Sequence, residues 1–321
     1  MTITTTRPPF DPELDAVYEV FSAQVPLVMT LDAVPAAREP GAFFDVSEEA
    51  LATMGVTRRD VTVPGYEGAE LVASIFHRTD HQGFGAGIYN IHGGGMVAGE
   101  RMIGMPGVLP WVVEHDAVAV TVEYRLAPEF PDPFPVEDCY AGLVWMAEHA
   151  DELGIDPDRI LITGASAGGG LSAGTALLAR DRLGPKLIGQ VLICPMLDDR
   201  DQTVSTQQYD DAGSWVRESN VMGWTALLGE RRGTDDVSIY AAPARATDLS
   251  GLPPAFIDVG SAEVFRDEDV AYASTLWASG VQAELHVWAG GFHGFDMIAP
   301  HAAVSQAAVA ARNDWVARIL G

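Results

Sequence analysis

Lysine is almost missing from this chain: of 321 residues only Lys186 carries an ammonium side chain, and Lys and Arg together number 19 against 45 Asp and Glu. The resulting net charge of −26 argues against nucleic acid or an anionic membrane surface as a partner, because both are bound by clustered basic side chains. The acidity speaks to solubility and not to chemistry. A GC-rich coding bias and a salt-tolerant surface account for it equally well.

Cysteine is also scarce. Cys139 and Cys194 cannot build a disulfide framework, and Cys194 closes the apolar run "LIGQVLICP", so both read as buried free thiols. Cys-x-x-Cys and His-Glu-x-x-His are missing, so neither a metal nor another cofactor is expected. No apolar run approaches the ~18 residues of a membrane span. The opening "MTITTTRPPF" lacks the hydrophobic core of a secretory signal, which makes a cytoplasmic protein the expectation. Solenoid repeats, low-complexity tracts, heptads and linker-like stretches do not occur either.

What remains is the pattern of one large α/β domain. Short β-rich runs at 70–76, 87–91, 117–124, 159–163, 189–193, 254–260 and 283–288 alternate with helical patterns at about 105–115, 137–153, 167–183, 266–279 and 302–320. Continuous apolar strands between helices predict a mostly parallel sheet covered on both faces. Two segments interrupt the alternation. Residues 1–50 carry the amphipathic "DPELDAVYEVFSAQVP", and residues 196–250 exceed an ordinary crossover, with a helix expected over 217–229. We expect 51–321 to be the catalytic domain, with 1–50 and the 196–250 insertion forming a cap over the sheet's carboxyl edge.

The stretch "ILITGASAGGGLSAG" holds Gly-x-Ser-x-Gly twice, at Ser166 and at Ser172. A nucleophilic serine of this kind stands on a sharp strand-to-helix turn crowded enough to require small neighbours. Ser166 follows the β-rich "RILIT" and is flanked only by Gly and Ala. Ser172 lies about 9 Å further along the helix and reads as a packing residue. Only His286, His293 and His301 follow Ser166. His286 lies inside a strand and His301 at a helix start, whereas His293 sits in the glycine-flanked "GGFHGF" past the last strand, where parallel sheets bind ligands. It is the candidate base. Glu263, three residues past Gly260, is the best-placed acid, with Asp258 as the alternative. "NIHGGGMVAG" (90–99) adds consecutive unobstructed N–H groups, suited to a developing oxyanion.

These motifs, "HGGG" (92–95), "EYRLAPE" (123–129) followed by "PFPVED", "GASAGG" (164–169), "GSAEVFRDE" (260–268) and "HGF" (293–295), make the chain resemble the hormone-sensitive-lipase-like family of α/β-hydrolases, the bacterial family IV esterases. The resemblance spans residues 92–295. It implies the α/β-hydrolase fold and a catalytic triad of Ser166, Glu263 and His293. It also implies an oxyanion hole from the amides of Gly94, Gly95 and Ala167, with Gly93 shaping the loop and His92 ordering it. Three positions depart from the family's pattern. Glu263 stands where Asp is commoner, Ala165 replaces Asp or Thr before the serine, and Met96 takes the place of an aromatic.

The reaction so implied is two-step acyl transfer on a small ester, with no cofactor. Met96, Trp215 and Trp224, with Tyr209, are the expected substrate-lining residues and suit short acyl or small aromatic esters. An amidase, lactonase or acyltransferase with the same triad stays open, as does a ligand receptor on the same fold. A homodimer is an option the resemblance leaves open.

Overall fold

The computed structural model of the chain describes residues 6–38 and 46–321; the parts of the expected N-terminal cap segment at 1–5 and 39–45 lie outside them. Eight strands form one sheet: β1 (Val56–Pro64), β2 (Glu70–Arg78), β3 (Gly85–Ile91), β4 (Val118–Val122), β5 (Ile155–Ala165), β6 (Leu187–Ile193), β7 (Ala255–Gly260) and β8 (Ala283–Trp288), in the order β1-β2-β4-β3-β5-β6-β7-β8. β4, β3, β5, β6, β7 and β8 run parallel. β2 is antiparallel to both β1 and β4.

The parallel strands are buried on both faces, which is why their sequences read as unbroken apolar runs. Ile88, Ala119, Leu161, Val191 and Phe256 point to one face and pack with Trp111 and Trp315 of helices Met105–His115 and Ala303–Leu320. Tyr89, Val120 and Ile162 point to the other. There helices Phe134–Glu148, Ala167–Asp181 and Arg266–Ala278 complete the layer.

All seven predicted strands and five predicted helical stretches are present, with ends shifted by a few residues; the 137–153 pattern divides at His149 into two helices before the left-handed Gly154 cap. β1 escaped the sequence reading. Among the described residues it is an edge strand paired only with β2, and its "TRRD" stretch turns charged side chains to solvent, a common protection for an exposed edge.

The two interrupting segments meet each other. Asp11 caps helix Pro12–Ser22 by accepting from the N–H groups of Glu13 and Leu14. Tyr18 of that helix hydrogen-bonds the backbone of Gly213, accepting from its N–H at 2.9 Å. Tyr209 donates to the Pro8 carbonyl at 2.9 Å, and the Met29 N–H donates to Ser219 Oγ. The expected helix over 217–229 is Arg217–Leu228.

An ion pair between the half-buried Arg125 and a wholly buried carboxylate holds the "EYRLAPE" turn. Asp138, wholly buried, accepts two side-chain bonds from Arg125 at 2.7 and 2.8 Å and backbone N–H bonds from Tyr66 and Arg125. Removing the carboxylate leaves Arg125 without its partner. Asp138→Ala is therefore expected to lower unfolding stability by about 3–5 kcal/mol, read from the shift of a urea midpoint.

Candidate active site

At the end of β5 the chain turns sharply at Ser166, whose φ of 58° and ψ of −124° are costly for a residue with a side chain, by about 1–3 kcal/mol. The surroundings enforce the turn. The Ser166 N–H donates to the Ile193 carbonyl at 2.8 Å, and the Ser166 carbonyl accepts from Met196 at 2.9 Å and from Gly170 at 3.1 Å. The small neighbours are a steric necessity: a Cβ on Gly164 would lie 2.3 Å from the Gly168 carbonyl oxygen, and one on Gly168 would lie 2.1 Å from that of Ile91. Ser172, nearly two turns on, is buried and donates back to the Gly168 carbonyl at 2.7 Å.

The turn aims Ser166 Oγ at His293, whose Nε2 accepts its proton at 2.9 Å. His293 Nδ1–H in turn donates to Glu263 Oε2 at 2.6 Å. The carboxylate is fixed from behind, because Glu263 Oε1 accepts the Gly260 N–H at 3.0 Å and the residue is only 2% exposed. The loops bearing the two side chains are laced together by Ala262 N–H to the Gly291 carbonyl, at 2.9 Å. Glycine at 260 is needed for that approach, since its Cβ would lie 2.0 Å from the same oxygen. Phe265 packs edge-on against the imidazole, with centroids 5.1 Å apart.

Asp258, the alternative acid, lies elsewhere. It accepts from Arg312 at 2.9 Å and from the Trp288 indole at 3.3 Å, and burial pushes its carboxyl up. His286 stacks on Trp288 and Phe256, and His301 is exposed; neither approaches the serine by a hydrogen bond. Cys194, Glu263 and His293 bring one potential ligand atom each within 4.8 Å of one another. Burial pushes the Cys194 thiol up, and the other two groups already satisfy each other, so the chemistry of the set is that of a hydrogen-bonded relay and not of a cation site.

The loop after β3 lies beside the serine. A Cβ on Gly93 would be 2.8 Å from the Ala165 carbonyl oxygen and one on Gly94 2.1 Å from that of Ala98, so only glycine fits. The amides of Gly94, Gly95 and Ala167 have no hydrogen-bond acceptor among the described residues. Burial lowers the His92 pKa; the ring stacks on Tyr124 at 4.1 Å, and its Nδ1–H donates to the Gly93 carbonyl at 2.8 Å.

Of the expected lining residues, Trp215 is partly exposed and stands against Gly95, where a Cβ would meet its Cη2 at 2.6 Å. Met96 and Trp224 are buried, at 0% and 1% exposure. Tyr209 is buried too, its hydroxyl pushed up to about 12. These three are core members and not an open wall: the helix Arg217–Leu228 packs onto the glycine loop through Gly223, and Tyr209 is tied to the Pro8 carbonyl. Ser214, unremarked in the sequence, donates to the His293 carbonyl. Nothing in its local pattern signals that role, which arises because the insertion folds back onto the His293 loop.

Residues 88–297 match the family model described as the alpha/beta hydrolase fold, and the chain belongs to that family, in the hormone-sensitive-lipase-like branch to which its motifs point. It is 33% identical over 307 residues to the carboxylesterase NlhH of Mycobacterium tuberculosis, with 94% of each chain aligned. An arylesterase of Saccharolobus solfataricus is 33% identical across 65% of this chain and 67% of its own length. The solved structure of a bacterial heroin esterase superposes with a TM-score of 0.88 at 39% identity, covering 99% of this chain and 100% of that one. No helix among the described residues is long and apolar enough to cross a membrane.

Behind Glu263 lie two further buried carboxyls. Glu268 accepts from the N–H groups of Leu197 and Asp198. Asp269 has no partner on either oxygen among the described residues. Burial, then neighbouring carboxylates, pushes Asp269 well above the ordinary range. A carboxyl whose pKa is raised by folding contributes stability that is fully present below its unfolded value near 4 and is lost as pH rises through the folded value. Asp269→Asn should therefore gain stability relative to the parent between about pH 5 and pH 8, read as urea midpoints at the two pH values; an equal difference at both would contradict the assignment.

Proposed function

We propose that this chain is a serine carboxylesterase acting on short-chain acyl or small aromatic esters. The observation that carries the reading is the continuous chain of hydrogen bonds from Ser166 through His293 to Glu263, at 2.9 and 2.6 Å. His293 takes the Ser166 proton as Oγ attacks the ester carbonyl. Glu263 holds the tautomer with the proton on Nδ1 and stabilises the imidazolium. The carbonyl oxygen becomes an oxyanion that accepts from the Gly94, Gly95 and Ala167 amides, which are free and rigidly held. The imidazolium protonates the departing alkoxide, alcohol leaves, and water deprotonated by His293 attacks the acyl-enzyme to release the acid.

The cap in this reading is the N-terminal segment together with the 196–250 insertion. Its contribution is Trp215, whose indole closes the space over Gly95 and limits the acyl group, and Ser214, which anchors the His293 loop. The named activities of the relatives, carboxylesterase and arylesterase, agree with an ester substrate.

Two measurements test the proposal. Ser166→Ala should lose about 10⁴-fold or more of kcat on a chromogenic acetyl ester while Ser172→Ala retains activity, and Glu263→Gln should lose about 10⁴-fold by stabilising the wrong tautomer. Activity surviving in Ser166→Ala would sink the mechanism. For the substrate class, acetyl and butyryl esters should exceed dodecanoyl esters in kcat/KM, and Trp215→Ala should narrow that gap; a parent enzyme faster on the long chain would refute the size limit.

A further inference from the structure

On the far side of the nucleophile turn, a cavity of about 390 Å³ opens between helix Met105–His115 and the C-terminal helix Ala303–Leu320. Its volume falls within the range of small-molecule sites, about 300–1,000 Å³. Ala165 forms part of its wall, but neither Ser166 nor His293 does. The rim is apolar and open: Met297 is 44% exposed and Val309 39% exposed. Trp111 contributes an aromatic wall fixed in orientation by its indole N–H bond to Asn313 at 2.7 Å.

Its polar part is a buried guanidinium. Arg312 lines the cavity at 7% exposure. Its Nη2 is committed to Asp258 at 2.9 Å and Asp296 at 3.0 Å; Nε is fully enclosed without a partner, and Nη1 has no partner among the described residues and keeps some exposed surface. A guanidinium N–H left without an acceptor beside an apolar cavity is poorly satisfied, and a ligand oxygen reaching Nη1 would satisfy it. The two carboxylates already on Arg312 leave the site without net positive charge, so that oxygen belongs to a neutral group. Pro110, also in the lining, has no N–H to give the Pro106 carbonyl its helical bond, leaving an acceptor that suits a hydroxyl donor.

We propose that this cavity is a second small-molecule site, separate from the Ser166 centre, which takes an uncharged aromatic or alicyclic alcohol. The ring lies against Trp111 between Met297 and Val309, and the oxygen accepts from Arg312.

The test locates and weakens the site directly. Crystals soaked in para-bromobenzyl alcohol should show the anomalous bromine signal between the two helices. In solution, ligand-observed NMR should give millimolar binding of benzyl alcohol, with benzoate about tenfold weaker or more. Gly107 lines the cavity, and a Cβ there would meet nothing within 4 Å, so Gly107→Leu fills the space from the wall; Val309→Trp closes the rim. Each should weaken benzyl alcohol about tenfold while leaving the thermal midpoint and ester hydrolysis near the parent's. Bromine found only beside Ser166 or nowhere, benzoate bound as tightly as the alcohol, or parent-like affinity in both folded variants would overturn the proposal.

Discussion

The left-handed turn at Ser166 is the constraint around which the rest of this molecule is arranged. A side-chain-bearing residue stays at φ 58° only because the strand before it, the helix after it and the ends of β3 and β6 over-determine its backbone. The glycines at 164 and 168 exist to let the Ile91 and His92 carbonyls come within reach of that turn. The approach in turn sets where the glycine loop after β3 lies, and so where its unpaired amides point. A single backbone strain thus links the nucleophile, the free N–H groups and the spacing of the central strands.

The second organising feature is the lacing of the loops after β7 and β8. Glu263 reaches His293 with its longer side chain because its far oxygen is tied to Gly260 while Gly291 closes against the same turn. Arg312 stabilises the region behind by pairing Asp258 with Asp296, which draws the runner-up acid away from the imidazole. Around this frame lies an unusual density of buried carboxyls, Glu263, Glu268, Asp258 and Asp269 among them. For Asp258, Glu268 and Asp269, desolvation pushes the carboxyl up and so weighs against the folded state as pH rises, and the hydrogen bonds that Asp258 and Glu268 accept offset part of that.

The chain itself determined the parallel core, because strands buried on both faces must be continuously apolar and their connecting helices must be amphipathic. Gly164 to Gly169 beside Ser166, and His293 between glycines, were legible for the same reason: a tight turn and a loop near the sheet's carboxyl edge permit few residue types. Folding decided what had no local signal. β1 was hidden because an edge strand bears charges. Tyr209, Trp224 and Met96 look like lining residues in sequence, yet the insertion packs on the glycine loop and on the N-terminal segment, and all three are buried. Ser214 gains its contact with His293, and Arg312 its two carboxylates, only when segments distant along the chain are brought together. An aromatic or a charged residue carries the same letter whether it faces a ligand or a core, and only the packing of the other segments distinguishes the two.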